Sequence, residues 1–395
     1  MSCPIRQLPL LREGKRPRIW TVRYNETTHV YERADAAVGV MVKPGLDGAA
    51  ARNDFDRISI FKRPIFNATW DCIRGKWTAL VPLGDPRFSW SPTEPYCEVV
   101  YRCTPFWYRL EEGERNGPYA ISVTDRPLPG FTLAPMFKNG KTPVYRPCFE
   151  MGIGEDGLPH SRAGLAPQLG NLKQLMDAAR RYDFRARTES VLDWFSDAIL
   201  ITVELGRWRV HEVLAGNNTG TMAVTGAGLV GAKASLAAPE AIGPMAWRGK
   251  ENPWKNTASV LCDVMMKKTV KDGVNDIEVC HLSDMSRFDG TLNEAYRVVG
   301  SYALNTNTCR DISTMALGGG FLYPARPIQM NFKCAAYLWV DYTQSTPITV
   351  GVGGSSSSDR MPNSTWSNHW NWEAVDSCDS RADTFGARLV LDEQR

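Results

Sequence analysis

The chain is short of the residues that build metal centres and redox-active sites. Its five His stand apart from one another, and its ten Cys include no CxxC pair. Structural zinc sites recruit Cys and His ligands at short, recurring spacings. The sequence therefore shows no zinc pattern, and we expect no cofactor. Because the first residues form no apolar secretory leader, we expect reduced thiols and synthesis in a cytoplasm.

Long apolar runs and a strong net charge are also missing. No run approaches the roughly 18 apolar residues of a membrane span, so we expect no membrane insertion. The formal net charge is only +3 over 395 residues, and no large basic block stands out. Nucleic acid is therefore not an expected partner.

The residues that are abundant indicate turns and aromatic surfaces. The length of 395 residues exceeds what one ordinary core supports, which predicts two or three domains. The 33 Gly and 25 Pro favour many short strands joined by turns. The 13 Trp are typical of a protein that builds contact surfaces from aromatic side chains.

The first part of the chain is expected to be mainly β. Residues 1–15 are basic and contain Pro, which predicts an N-terminal arm. Alternating residues at 18–24 predict a strand. Residues 68–72 and 77–81 predict a hairpin that turns at Arg74-Gly75. We therefore predict a mostly-β domain over residues 16–150.

Two helices follow, so the predicted fold class is α+β. The first spans 172–182, and Asn171 and Gln174 stand in capping-box positions at its start. The second opens at Ser190 with Asp193 and stops by Gly206. Glu189, Asp193 and Asp197 recur at helical spacing, and we expect them to form a solvated helix face.

Two further motifs admit a chemical interpretation, and each has a simpler one. Residues 226–231 match GxGxxG, but the following helix candidate is interrupted at Pro239 and repeated βα units are missing. A glycine-rich loop is therefore favoured over a nucleotide site. Cys280 and His281 are adjacent, and adjacent side chains on a strand point apart, so a nucleophile–base pair is not expected.

The end of the chain carries the strongest functional signal. An apolar run at 347–354 is followed by residues rich in Ser, Asn, Asp, Trp and His, and then by a strand-like run at 385–391. Trp366, Trp370 and Trp372 lie within seven residues and alternate with small polar side chains. Large aromatics among adaptable polar residues are typical of binding loops. A loop that only caps its own domain is the alternative.

The predicted ligand-binding residues all come from this stretch. Trp366, His369, Trp370 and Trp372 are expected to act as anchors, and the Asn residues as polar readers. The full set is Asn363, Trp366, Asn368, His369, Trp370, Asn371, Trp372 and Asp376.

Carboxylates at the same end leave a calcium site open as a second interpretation. Asn371, Glu373, Asp376, Asp379 and Asp383 offer the oxygen ligands that calcium prefers. Their spacing matches no calcium-loop pattern, and solvation of an exposed surface explains them equally well.

The order of these motifs resembles a family of bacteriophage tail receptor-binding proteins with a C-terminal C-type-lectin fold. Gly353-Gly354-Ser355 and the closing run Phe385-Gly386-Ala387-Arg388 are similar to the ends of these variable proteins, with Ser355 where the family has Trp. The family includes the major tropism determinant of a bacteriophage. Upstream, residues 37–40, 60–62 and 135–137 resemble short motifs of phage tail proteins.

The resemblance implies a fold, a location and partners. Residues 151–395 would form a C-type-lectin-like domain, of the kind shared with formylglycine-generating enzymes, and residues 16–150 would serve virion attachment or trimerisation. The protein would be a homotrimeric, non-enzymatic component of the virion tail that contacts other tail proteins and binds a host cell-surface protein or glycan. Retroelements diversify many relatives by mutating adenines, which enriches Asn and Ser.

Two rival functions remain. A structural virion or tail decoration protein would use the same fold only for subunit contacts. A formylglycine-type enzyme would need reactive thiols, for which Cys334 and Cys378 are the nearest candidates, although no paired spacing supports them.

Overall fold

The structure is a computed structural model that describes most of the chain, including every residue from 52 to 113 and from 142 to 210. The described residues are 18–28, 30–43, 52–113, 117–137, 140, 142–210, 213–214, 216–217, 221–230, 243–271, 273–303, 310–329, 337–340, 348–353, 372–376 and 385–393. The predicted arm at 1–15 lies outside them.

The first part of the chain forms two larger antiparallel sheets and two short two-stranded pairs. Its strands are β1 (Ile19–Asn25), β2 (Val30–Asp35), β3 (Val42–Lys43), β4 (Arg52–Asn53), β5 (Ile65–Asp71), β6 (Lys76–Pro82), β7 (Cys97–Cys103), β8 (Trp107–Glu111), β9 (Ala120–Thr124), β10 (Thr132–Leu133), β11 (Val144–Pro147), β12 (Gly152–Ile153) and β13 (Pro159–His160). One sheet has the order β10-β8-β9-β1-β2, and the other β11-β7-β5-β6. The predicted strand at 18–24 and the predicted β5–β6 hairpin are confirmed.

Two α-helices follow these strands, with the predicted bounds. Helix α1 spans Leu172–Tyr182 and helix α2 spans Val191–Leu205. Both predicted capping boxes are present, and Gly206 ends α2 in the left-handed conformation. Neither helix is long and apolar enough to cross a membrane, and the same holds for every helix among the described residues.

The remaining strands build a nine-stranded sheet and a short pair. They are β14 (Ala246–Trp247), β15 (Lys250–Glu251), β16 (Ala258–Lys271), β17 (Val274–His281), β18 (Arg297–Ala303), β19 (Arg310–Gly318), β20 (Phe321–Gln329), β21 (Tyr337–Val340), β22 (Ile348–Val352), β23 (Trp372–Asp376) and β24 (Phe385–Gly386). The sheet order is β18-β17-β16-β22-β23-β21-β19-β20, and β24 pairs with β16. The described chain is therefore mainly β with two helices.

The nine-stranded sheet curls until its two edges meet. A side chain at Gly300 of β18 would collide with the Tyr323 ring of β20, and one at Gly318 would collide with the backbone of Val299. Glycine is required at these two positions because the opposite edge leaves no room for a Cβ atom.

Helix α2 lies at the centre of the molecule. All of its residues are buried, and it contacts β1 and β9 of the first sheet as well as β16 and β20 of the nine-stranded sheet. One hydrophobic core consequently includes residues from Trp20 to Trp372. Residues on both sides of the predicted boundary at residue 150 share this core.

The C-terminal run is buried along its whole length from 385 to 391, not only on the one face that its alternation predicts, and little of it is a strand. Phe385, Ala387, Leu389 and Leu391 all pack in a second hydrophobic core. Only Phe385–Gly386 is paired as a strand, in parallel with the start of β16. From 387 onward the run makes isolated backbone contacts, such as the hydrogen bond from the Met151 N–H to the Ala387 carbonyl and the bridge between Arg187 and Val390.

Candidate recognition site

Two neighbouring strands hold the ends of the predicted binding stretch. Strands β22 and β23 are antiparallel, and Val352 is the Cα partner of Trp372. Strand β22 ends at Val352 and β23 begins at Trp372, so the described residues that flank 354–371, Gly353 and Trp372, lie at the same end of the sheet. We call residues 354–371 the recognition segment; they lie outside the described residues.

Most of the predicted ligand-binding residues belong to the recognition segment. Asn363, Trp366, Asn368, His369, Trp370 and Asn371 therefore lie outside the described residues. The structure places the other two, Trp372 and Asp376, together on β23, where Asp376 pairs with Ile348 through the backbone.

Trp372 requires a correction, because it is not an exposed anchor. Its side chain is 0% exposed. The indole packs edge-on against Trp194 of α2, with ring centroids 5.7 Å apart, and stacks on Phe321 of β20 at 6.3 Å. A side chain enclosed in this way cannot contact a ligand. Trp372 instead fastens the end of the recognition segment to the central helix.

The opposite end of the recognition segment rests on a turn before β16. The backbone N–H of Lys255 donates to the carbonyl of Gly353 over 3.2 Å. A Cβ atom on Gly353 would lie 3.2 Å from the Cα atom of Trp254, and Gly353 has a φ of +85°. Glycine is therefore required at the point where the recognition segment begins.

Strand β24 packs closely against β22 and the start of β16. A Cβ atom on Gly351 would lie 2.6 Å from the Phe385 ring, and one on Gly386 would lie 2.4 Å from the hydroxyl of Thr257. The two glycines allow β22, β24 and the start of β16 to pack at close range. The Gly and Phe residues that carry the family resemblance therefore allow neighbouring strands to pack closely and do not form an exposed surface.

The glycine-rich loop binds a carboxyl group, which belongs to a side chain of the same protein. The backbone N–H groups of Gly226 (2.9 Å), Gly228 (2.9 Å) and Leu229 (2.7 Å) donate to the carboxylate of Glu251. Burial raises the pKa of Glu251 to about 7, against these three donors, and the neighbouring Glu150 carboxylate adds to the rise. Because Glu251 occupies the donors that would bind a phosphate, the favoured loop interpretation agrees with this geometry.

The carboxylates expected on a solvated helix face are buried, so that prediction is wrong. The Nζ atom of Lys250 contacts both Glu189 and Asp197, at 3.0 Å from the latter. Asp197 also pairs with Arg63 at 2.5 Å. Burial alone would raise the pKa of Asp197, but the two cations lower it well below its ordinary value. Asp197 is therefore ionised inside the protein.

A second buried group of opposite charges lies one turn nearer the start of α2. Asp193 lies 2.7 Å from both Arg146 and Arg187. Since Arg146 comes from β11 and Arg187 from the loop before α2, the charges tie the first sheets to the central helix. Sequence inspection missed these cations because they lie 6 to 47 residues away from their partner along the chain.

The nucleophile and metal interpretations find no added support. Burial raises the pKa of the Cys280 thiol to about 11, which leaves it protonated and a poor nucleophile at neutral pH. Cys334, Cys378, Asp379 and Asp383 lie outside the described residues. Within the described part of the chain, no three His, Cys, Asp or Glu side chains gather as metal ligands.

Comparison with known proteins adds no relative to this picture. No protein-family model matches the chain, and no curated protein matches it.

Proposed function

We propose that the chain is a receptor-binding protein of a bacteriophage tail, which adheres to a host cell-surface protein or glycan through the recognition segment and has no enzymatic role. Its C-terminal part would be a C-type-lectin-like domain, and the assembled protein a homotrimer that contacts other tail proteins. The three weak binding sites of one trimer would strengthen overall binding, because binding at one site raises the effective concentration of the other two at the cell surface.

The observation that carries this proposal is the support at both ends of the recognition segment. One end is fixed by the Val352–Trp372 pair and the buried Trp372 indole, and the other by the contact between Lys255 and Gly353. Substitutions in a loop away from buried contacts change stability little, so a binding loop between two such supports would tolerate sequence change without disturbing the core.

Single Trp→Ala variants test adhesion against folding. We expect Trp366→Ala and Trp370→Ala to lose binding to bacterial cells while keeping the wild-type melting temperature. Trp372→Ala is the matched control, since removing a buried Trp costs about 3–5 kcal/mol and lowers the melting temperature.

The assay is flow cytometry of the fluorescently labelled chain on a panel of intact bacterial strains. Loss of binding in Trp370→Ala at an unchanged melting temperature supports adhesion. A wild-type chain that binds none of the strains, or a Trp370→Ala variant that melts as early as Trp372→Ala, contradicts it. A near-repeat of the 3′ end of the gene beside a reverse-transcriptase gene would separately identify diversification.

A structural virion protein is the second candidate, and two exposed side chains favour it. Ile73, in the β5–β6 turn, is 94% exposed, and Phe184, after α1, is 77% exposed. The guanidinium of Arg185 packs on Phe184 and donates to the carbonyl of Cys72, so the two apolar side chains belong to one surface. Antibody labelling at the distal tail tip favours adhesion, whereas labelling along the tail favours the structural role.

A further inference from the structure

A lysine amine and a glutamate carboxyl group meet inside the protein. The Nζ atom of Lys250, on β15, contacts the Oε1 atom of Glu189, which lies just before α2. The two side chains are 1% and 5% exposed, and the residues lie 61 positions apart along the chain. The amine of a lysine is a nucleophile when it is neutral. The fold therefore holds a nucleophile against a carboxyl carbon, the Cδ atom of Glu189.

Of the two carboxyl groups around Lys250, that of Glu189 is better placed to react. Asp197 pairs with Arg63 at 2.5 Å and with Lys250 at 3.0 Å. Burial opposes its ionisation, but the two cations hold the pKa of Asp197 well below its ordinary value. The Oε2 atom of Glu189, by contrast, is buried and makes no hydrogen bond with any residue that the structure describes. A carboxylate that two cations stabilise is a poor electrophile, whereas Glu189 can accept a proton and become a good one.

Arg388 faces the same Oε2 atom from the C-terminal run. Its side chain is 1% exposed, and its Nε atom lies 4.0 Å from Oε2 of Glu189. This Nε–H group also lacks a hydrogen-bond partner within the described part of the chain. When a nucleophile attacks a carboxyl carbon, one oxygen becomes negatively charged, and an N–H group already beside that oxygen stabilises it. A shift of about 1 Å would bring the two atoms to hydrogen-bond distance.

We propose that Lys250 and Glu189 react with each other in the folded protein and form an intramolecular amide bond, with release of one water molecule. The ammonium first gives a proton to Oε1. The neutral Nζ atom then attacks Cδ, and the electron pair of the C=O bond moves onto Oε2, beside Arg388. Nζ passes a second proton to Oε1 as the electron pair on Oε2 returns, and the Cδ–Oε1 bond breaks to release water. An ammonium and a carboxylate thus become an amide and water, without an oxidant or other co-reactant.

Burial favours this reaction, because the amide carries no charge. The attraction within a buried ion pair is largely offset by the cost of removing both ions from water, and the amide no longer bears that cost. The bond would also constrain the unfolded chain between residues 189 and 250, as a disulfide does. Since the reaction needs the folded site, newly folded protein carries the ions described above, and the linked fraction rises with time. The bond forms whether or not the protein binds cells.

Mass spectrometry of the full chain tests the bond directly. After prolonged incubation in the folded state, we expect the wild-type chain to be lighter than its sequence mass by one water molecule. A chain kept unfolded in urea should retain the full mass. Trypsin cleaves after Arg and after unmodified Lys, so the bond should appear as one linked species made of residues 188–207 and 249–255. Lys250→Arg should keep the full mass, since a guanidinium keeps the charge but stays protonated and is not a nucleophile.

The exposed pair of Lys173 and Asp177 on α1 is the internal control. Their side chains are 64% and 56% exposed, so both groups stay charged in water and trypsin should cleave after Lys173. A wild-type chain that retains its full mass after incubation overturns the proposal. So does a loss of water that leaves residues 188–207 and 249–255 unlinked, or one that persists in Lys250→Arg. If Lys250→Arg fails to fold, the presence or absence of the linked peptides in the wild type decides.

Discussion

The buried ammonium of Lys250 offers a quantitative test of the central ion network. Lys250→Met keeps most of the side-chain volume and removes the charge between Glu189 and Asp197. The Lys250 and Asp197 side chains are each 1% exposed, and that of Glu189 is 5% exposed. The substitution therefore leaves two carboxylates inside the protein with one cation fewer.

The size of the effect follows from the remaining partners. At 3.0 Å and an effective dielectric constant of about 20, Coulomb's law gives the Lys250–Asp197 pair about 5–6 kcal/mol, which desolvation of both ions largely offsets. Among the residues that the structure describes, Asp197 keeps Arg63, and Glu189 keeps one cation, Arg388, at 4.0 Å. Breaking a buried pair costs about 3–5 kcal/mol, and the residual Arg388 contact places the expected loss near 3 kcal/mol.

Urea denaturation of the single and double variants measures this loss. Lys250→Met/Glu189→Gln should recover at least about 1 kcal/mol relative to Lys250→Met, because the second change removes the uncompensated charge. Lys173→Met is the surface control: Lys173 pairs with Asp177 on the exposed side of α1, and its loss should cost less than about 0.5 kcal/mol. A loss below 1 kcal/mol for Lys250→Met, with no recovery in the double variant, would refute the reasoning.

Two further predictions concern pH. His160 is buried between Glu98 (2.7 Å) and Asp156 (3.0 Å). Burial lowers the pKa of His160, but the two carboxylates raise it above 6.5 overall. The protonated His160 therefore stabilises the fold fully below pH 6.5, and this stabilisation disappears as the pH rises through the folded-state pKa. Urea titrations should show that loss in the wild type and none in His160→Gln. Burial raises the pKa of Glu251 from 4.5 to about 7, so between these pH values the folded protein holds a proton that the unfolded chain has lost. The free energy of unfolding should therefore fall by roughly 3 kcal/mol as the pH rises from 4.5 to about 7. In Glu251→Gln the free energy of unfolding should no longer fall over this pH range. An unchanged pH dependence would contradict the effect assigned to the burial of Glu251.

Local signals in the sequence were sufficient for the helices and the first hairpin. The capping boxes at Asn171 and Ser190 involve residues three positions apart, and the turn at Gly75 needs only its neighbours, so each is visible without the rest of the fold. The same kind of reasoning failed for Asp197. Its helical spacing is that of a solvated face, and only partners more than 50 residues away make burial possible.

The candidate site likewise has features that depend on contacts between residues distant along the chain. The local pattern around Trp372 gives no sign that its indole is buried, because the side chains that enclose it, Trp194 and Phe321, are distant along the chain. The left-handed backbone of Arg248 and Lys255 was invisible because such backbone is normally signalled by glycine. Tertiary contacts impose both features.

The pairing of Val352 with Trp372 has a consequence for the length of the chain between them. Paired residues in neighbouring strands lie about 5 Å apart, so any insert whose own ends are close can be accommodated. Loop-closure entropy grows so slowly that doubling the insert costs only about 0.6 kcal/mol. The fold is therefore suited to serve as a display scaffold, in which foreign peptides of many sizes replace the native insert.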